Sequence, residues 1–265
     1  MTGPTSHTHR GCSTLWIAYD VKATFFQVGR CAQRFPSATR RVVQSGHVLG
    51  NHSYSHSFTR YAKQPRQEME IIRSQEVFYS VAGVTPALYR PPWLCHWPWV
   101  LGTLQQHGLQ VVSGTFAHPF EIFQPAAAKL TDSAARLARP GAILIFHDGR
   151  EARGGPRDQS VAAIGPLIDR LMDRGYRFTT VDQLLGISAY AGSSDCSLLA
   201  GDRAAEVRRL RHRSGTKKRV PSLAPQHGAR AITGRPVRVA PKCYEQVGLR
   251  IAGRRGLGPC CYRSG

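Results

Sequence analysis

The chain has 265 residues and an ordinary 42% hydrophobic content, room for one large domain or for one domain and a tail. Its net charge of +20 is uneven: residues 1–189 hold 20 Lys and Arg against 12 Asp and Glu, and residues 190–265 hold 16 against 4. No stretch approaches the ~20 apolar residues of a transmembrane helix, residues 1–10 lack the apolar core of a signal peptide, and the seven scattered cysteines show neither zinc-knuckle spacing nor a disulfide framework.

Residues 21–28 read as a buried strand with Phe25 and Phe26 back to back, 30–44 as a helix ended by Ser45-Gly46, and 47–51 as a short strand. Residues 65–81 form an amphipathic helix with Met69, Ile72, Val77 and Phe78 on its apolar side. Residues 87–90 are a strand stopped by Pro91-Pro92, because proline cannot donate to a ladder. A helix over 97–107 and a strand over 109–112 follow. Pro140-Gly141 closes a helix over 125–138, and 142–146 is a wholly apolar strand. The last elements are a helix over 160–174 before Gly175, a strand over 176–180 and a short helix capped by Asp182. This βαβα rhythm predicts a parallel sheet wrapped by helices, and ligands then bind at the carboxyl ends of the strands. Past Ser188 the rhythm stops. Residues 189–265 are expected to be a disordered basic tail, rich in Arg, Gly and Pro, following a domain over 1–188.

Chemistry-bearing residues fall just after the strands. His52 and His56 are four apart, so both imidazoles can reach one metal, although a catalytic zinc normally takes three protein ligands and water. Alone, the spacing is a weak signal, and the pair reads more readily as two solvent-exposed histidines. His147-Asp148 follows the apolar strand, where an imidazole can serve as general acid or base or simply begin a loop. Arg90 precedes a Pro-Pro turn and is a fixed cation, suited to a carboxylate or to a surface ion pair. Trp93, Trp97 and Trp99 crowd behind it, suited to sugar stacking or to core packing.

Together, Val21-Lys22-Ala23-Thr24-Phe25-Phe26-Gln27-Val28-Gly29, Gly46-His47-Val48-Leu49-Gly50-Asn51-His52-Ser53-Tyr54-Ser55-His56, Arg90-Pro91-Pro92-Trp93 and Ile145-Phe146-His147-Asp148 resemble the polysaccharide deacetylase (NodB-homology, carbohydrate esterase 4) family over about residues 3–186. The resemblance implies a distorted (β/α) barrel. It implies a metal-dependent hydrolase that removes acetyl groups from an N-acetylated polysaccharide of chitin or peptidoglycan type. His52 and His56 would bind a divalent metal, usually zinc, with cobalt as the alternative. His147 would protonate the leaving amine and Arg90 would orient the catalytic base. Pro92, Trp93 and Ile145 would shape the acetyl and oxyanion pockets.

The family opens with a Thr-Phe-Asp-Asp-Gly-Pro segment whose aspartates supply a base and a third ligand. Here Gly3-Pro4 keep the spacing, and Met1 and Thr2 stand in the aspartate positions. The expectation is weak or absent turnover and a gap in the sheet where the first strand would lie. A start called too late and a glycan-binding protein without turnover are the two explanations. The usual acidic motif in 113–123 is reduced to one candidate, Glu121. Nonspecific nucleic-acid binding through the tail is a third reading of the charge. The family implies export, while the N-terminus carries no export signal.

Overall fold

The computed structural model describes residues 19–149 and 157–192, together with the backbone of 246–252. Apart from Ala191 and Gly192, these belong to one compact unit within 1–190 and 240–265. Its elements are β1 (Thr24–Gln27), α1 (Gly29–Arg34), α2 (Pro36–Gln44), β2 (Val48–Asn51), α3 (Phe58–Tyr61), α4 (Arg66–Ala82), β3 (Leu88–Tyr89), α5 (Pro98–Gln106), β4 (Gln110–Val111), β5 (Thr115–Phe116), α6 (Ala127–Leu137), β6 (Ile143–Phe146), α7 (Asp158–Asp173), β7 (Arg177–Thr179), α8 (Val181–Leu185) and β8 (Gln246–Ala252), with 3-10 turns at Pro92–Leu94 and Glu121–Phe123.

The expected helix over 30–44 is two helices. Phe35 takes φ −129° and ψ 62° between them, because Pro36 disfavours the helical region for the residue before it. The last helix begins after Thr180, so Asp182 lies in its first turn rather than at its cap. The largest revision concerns α4. Met69, expected on the apolar face, is 64% exposed, and the buried side carries Gln67, Glu70, Ser74 and Gln75 beside Ile71, Val77 and Phe78. Glu70, Ser74 and Gln75 bond to Asn51 and the loop after it, as described below, whereas the Gln67 side-chain amide is buried without a hydrogen-bond partner among the described residues.

The sheet runs β4–β3–β2–β1–β8–β6–β5, with β7 also on β8. β1 to β4 are parallel, as are β5 and β6. Both sheet faces are covered, which explains the adjacent phenylalanines. Phe25 joins a core with Leu49, Phe78, Leu144, Phe146 and Leu167, and Phe26 joins one with Val48, Leu88 and Val112. Each such side chain contributes about 1.5–3 kcal/mol by leaving water.

The gap expected between the first and last strands is occupied by β8. It runs antiparallel to β1 (Thr24↔Gly248, Phe26↔Gln246) and to β6 (Ile145↔Gly248, Phe146↔Val247). Two facing strands with unpaired amides and carbonyls are costly to leave open, and a strand inserted between them satisfies both. Val247, Leu249 and Ile251 alternate with Gln246, Gly248 and Arg250, a period-two signal within the segment read as tail. Residues 193–245 and 253–265 of that tail, and residues 1–4 with the aspartate positions, lie outside the described residues, while Ala189 and Tyr190 pair with Ala87 and Pro86. Among the described residues no helix is long and apolar enough to cross a membrane.

Candidate active site

The loop after β2 is held from three sides. The His52 amide donates to the Gln27 carbonyl at 3.0 Å, and the Gly29 and Arg30 amides donate back to Ser53 and Tyr54. Asn51 Oδ1 accepts from the Ser53 amide at 2.9 Å and from Ser74 Oγ at 2.8 Å, while Asn51 Nδ2 donates to Gln75 at 2.9 Å. Glu70 Oε2 accepts from the Ser55 amide at 2.6 Å and from its hydroxyl at 2.7 Å. Gly29 is required here, because a Cβ would sit 2.9 Å from Ser74 Cβ. The polar face of α4 is therefore the brace of the histidine loop.

His52 is fully buried, and its Nδ1–H donates to the Arg90 carbonyl at 2.6 Å. A carbonyl can only accept, so the tautomer is fixed and Nε2 keeps its lone pair. That Nε2 is buried and has no hydrogen-bond partner among the described residues. Burial, then the neighbouring His56 charge, drives the His52 pKa well below the ordinary imidazole value, so the ring is neutral. The His56 ring lies 4.9 Å from that of His52, centre to centre. A neutral imidazole with one nitrogen anchored to a carbonyl and the other unpartnered is the arrangement of a metal-ligating histidine. His52 and His56 fit two positions of a zinc-type site; among the described residues no third His, Cys, Asp or Glu completes a metal-binding group.

Arg90 has no exposed surface. Its guanidinium lies 4.0 Å from the centre of the Phe26 ring, with Nε donating to Val112 O at 3.4 Å and Nη2 to Ser113 O at 3.3 Å. Burial pulls its pKa down to about 9, which leaves it a cation at neutral pH. Phe26 can lie there because Gly50 has no Cβ; one would fall 2.5 Å from the ring. The 3-10 turn beginning at buried Pro92 then bends sharply. Trp93 and Leu94 have φ of 55° and 57°, and with Ser53 (65°) and His56 (49°) they place at this cleft four of the six non-glycine left-handed residues among those described. Each costs about 1–3 kcal/mol and persists where the surroundings enforce it. Trp93 is 40% exposed and lies 4.3 Å from the His56 ring, with Phe58 at 5.4 Å. Trp97 and Trp99 stack at 5.5 Å.

On the other side of the cleft His147 follows β6. Glu121, 2% exposed, accepts from the His147 amide at 2.8 Å and from its Nδ1 at 2.9 Å. Burial pushes the Glu121 carboxyl up, but the His147 hydrogen bonds and charge outweigh it and hold the pKa below the ordinary value. Arg157, buried, donates to the Gly149 carbonyl at 3.1 Å and to the Glu121 carbonyl at 3.4 Å, tying the turn of Glu121 to the loop after His147. Phe116 stacks on His147 at 5.8 Å. Ile145 is wholly buried, its Cγ1 2.9 Å from where a Cβ on Gly114 would stand. Glu121 was the lone acidic candidate in its segment; Arg157 gave no signal in the sequence, because only the return of α7 brings it here.

A family model described as Polysaccharide deacetylase matches residues 2–112. A peptidoglycan-N-acetylglucosamine deacetylase of Bacillus cereus is 31% identical over 168 residues, 63% of this chain and 76% of the relative. A solved peptidoglycan N-acetylglucosamine deacetylase bound to an N-oxidanyl-benzamide superposes with a TM-score of 0.65 and 26% identity, covering 71% of this chain and 86% of that one. A family 4 acetyl xylan esterase from Clostridium thermocellum, in complex with a cobalt ion, gives 0.61 and 28% over 71% of this chain and 90% of that one.

Proposed function

The chain belongs to the polysaccharide deacetylase family, and on that premise we propose how its cleft hydrolyses the acetamide of an N-acetylated glycan. His52, through Nε2, and His56 would hold a divalent ion, zinc or cobalt. Bound there, it would supply a Lewis acid for the acetyl carbonyl and acidify a water whose proton leaves to solvent, since Met1 and Thr2 stand at the family's aspartate positions. Trp93 walls the acetyl group, with Ile145 beneath. The Leu94 and Cys95 amides are committed to the Pro91 and Pro92 carbonyls, so the amide of this turn that remains for the oxyanion is that of Trp93. His147, with Nδ1–H held by Glu121, delivers a proton from Nε2 to the departing amine. Arg90 positions His52 through its carbonyl.

The observation that carries this reading is the buried, unpartnered Nε2 of a histidine whose other nitrogen is fixed by a carbonyl. The test is acetate release from an acetylated chito-oligosaccharide and from peptidoglycan, with zinc or cobalt added. Metal-stimulated release that disappears in His52→Ala supports it. Metal-independent glycan binding without release, in a protein that binds the ion, replaces it with the glycan-binding reading.

A further inference from the structure

A cavity of about 530 Å³ is lined by Thr59, Arg60, Arg66, Met69, Glu70 and Arg73. Three guanidiniums against one carboxylate leave it with two positive charges. The three arginines are exposed, so their heads can turn toward a ligand, while Glu70 is buried. Arg66 makes no ion pair among the described residues. Guanidiniums around one concavity match the paired oxygens of a phosphate or sulfate.

Two of the lining residues also support the histidine loop. Glu70 Oε2 accepts from the Ser55 amide at 2.6 Å and from its hydroxyl at 2.7 Å, and the Arg73 guanidinium lies over the Tyr54 ring at 3.8 Å. Tyr54 and Ser55 are two of the three residues between His52 and His56. Glu70 Oε1 in turn faces Arg60 at 3.9 Å. A short physical route therefore runs from the arginines through Glu70 and Tyr54 to the two imidazoles. An exposed cation–π contact and an ion pair at 3.9 Å are each weaker than a two-point charged hydrogen bond to a dianion. A dianion in the cavity thus draws Arg73 off Tyr54 and Arg60 off Glu70.

We propose that this cavity is an effector site for a free tetrahedral dianion, phosphate or sulfate, and that filling it loosens the loop of His52 and His56 and weakens their hold on a divalent ion. By linkage, the ion weakens anion binding by the same factor. The coupling rests on the metal reading of His52 and His56; the anion site rests on the cavity alone.

Calorimetry of the metal-free full chain with sodium sulfate, at an ionic strength held constant with chloride, reads the anion site. Cobalt titrations followed by visible absorption, with and without sulfate, read the coupling. Both are run on the parent, on Arg66→Gln, on Arg73→Gln and on Arg139→Gln, an exposed control of equal charge change. Sulfate binding is expected to saturate and to fall about tenfold or more in Arg66→Gln, the effect of losing a charged hydrogen bond. Sulfate is expected to lower the cobalt affinity of the parent about fivefold or more. Arg139→Gln changes neither. Arg66 makes none of the loop contacts above, so Arg66→Gln binds cobalt in chloride as the parent does and loses the sulfate effect. Arg73→Gln, without its guanidinium over Tyr54, binds cobalt more weakly in chloride and loses little more with sulfate. An absent sulfate heat, or an equal loss in Arg139→Gln, overturns the proposal in favour of diffuse charge attraction. A sulfate effect on cobalt that persists in Arg66→Gln is complexation in solution and overturns the coupling, as does sulfate binding that leaves cobalt affinity unchanged. Acetate release is recorded in parallel. Failure of sulfate binding with cobalt binding and release intact removes this proposal and leaves the deacetylase reading standing. A parent that binds no cobalt removes the metal reading and the coupling together, and the sulfate heat alone then judges the cavity.

Discussion

Glu121 meets His147 twice, taking the backbone amide on Oε1 at 2.8 Å and Nδ1–H on Oε2 at 2.9 Å. One carboxylate thus sets both where the ring stands and which nitrogen carries the proton. A histidine held in this way presents Nε2 to the cleft, which is what a proton donor to the leaving amine requires.

Replacing Glu121 by Gln removes the charge that stabilises the imidazolium while keeping the shape. The expected loss in kcat is about 10–100-fold, the usual effect of removing such an orienting partner. The loss should fall in kcat with KM little changed, because the proton is delivered after the glycan is bound. An unchanged kcat would mean that His147 does not act as the acid.

The same carboxylate predicts a pH dependence of stability. Its folded pKa lies below its ordinary value of 4.5. The stabilisation is therefore complete above the unfolded value and is lost as pH falls through the folded one. Urea unfolding of the parent and of Glu121→Gln should differ most near neutrality, with the gap closing below about pH 4.3, the unfolded carboxylate range. A gap that stays constant with pH would contradict the assignment.

His52→Ala and His56→Ala should each abolish zinc binding measured by calorimetry, since two imidazoles are the donors found at the cleft. His52→Ala also leaves the Arg90 carbonyl without its donor, a cost of about 1–3 kcal/mol where that group stays buried. His56→Ala, which leaves the Arg90 carbonyl bonded, should be the less destabilising in a thermal melt.

Gly50→Ala should displace Phe26 and with it the support of Arg90, because the added methyl would lie 2.5 Å from the ring. The expected destabilisation is about 1–3 kcal/mol by overpacking. Activity should fall further than stability alone explains, as the Arg90 carbonyl shifts under His52. Full activity in a destabilised variant would separate Phe26 from the site.

Gly248→Pro tests β8. Gly248 pairs with Thr24 on one side and Ile145 on the other. Proline in a strand flanked on both sides removes a ladder bond and distorts the pairing, at a cost of about 3 kcal/mol or more. Loss of cooperative unfolding, or aggregation through the exposed edges of β1 and β6, is the expected outcome. Native-like melting would show that the sheet does not depend on β8.

The sequence alone determined the family, the parallel α/β architecture and the strand ends at which His52, Arg90 and His147 stand. Each of those follows from local order: an apolar strand, then a polar motif, repeated at fixed spacing. It could not identify what completes the site. The buried side of α4 looks wrong for a helix face until Glu70, Ser74 and Gln75 are seen bonded to the loop of His52 and His56, because periodicity registers apolarity and not pairing. Glu121 was the lone acidic candidate in its segment, but its partner was unknown until the turn after β5 placed it under His147, and Arg157 stands at the start of a helix 36 residues further on. The strand Gln246–Ala252 lies so far along the chain that its alternation was outweighed by the surrounding basic composition. These contacts link segments distant in sequence, so only the closing of the sheet decides them.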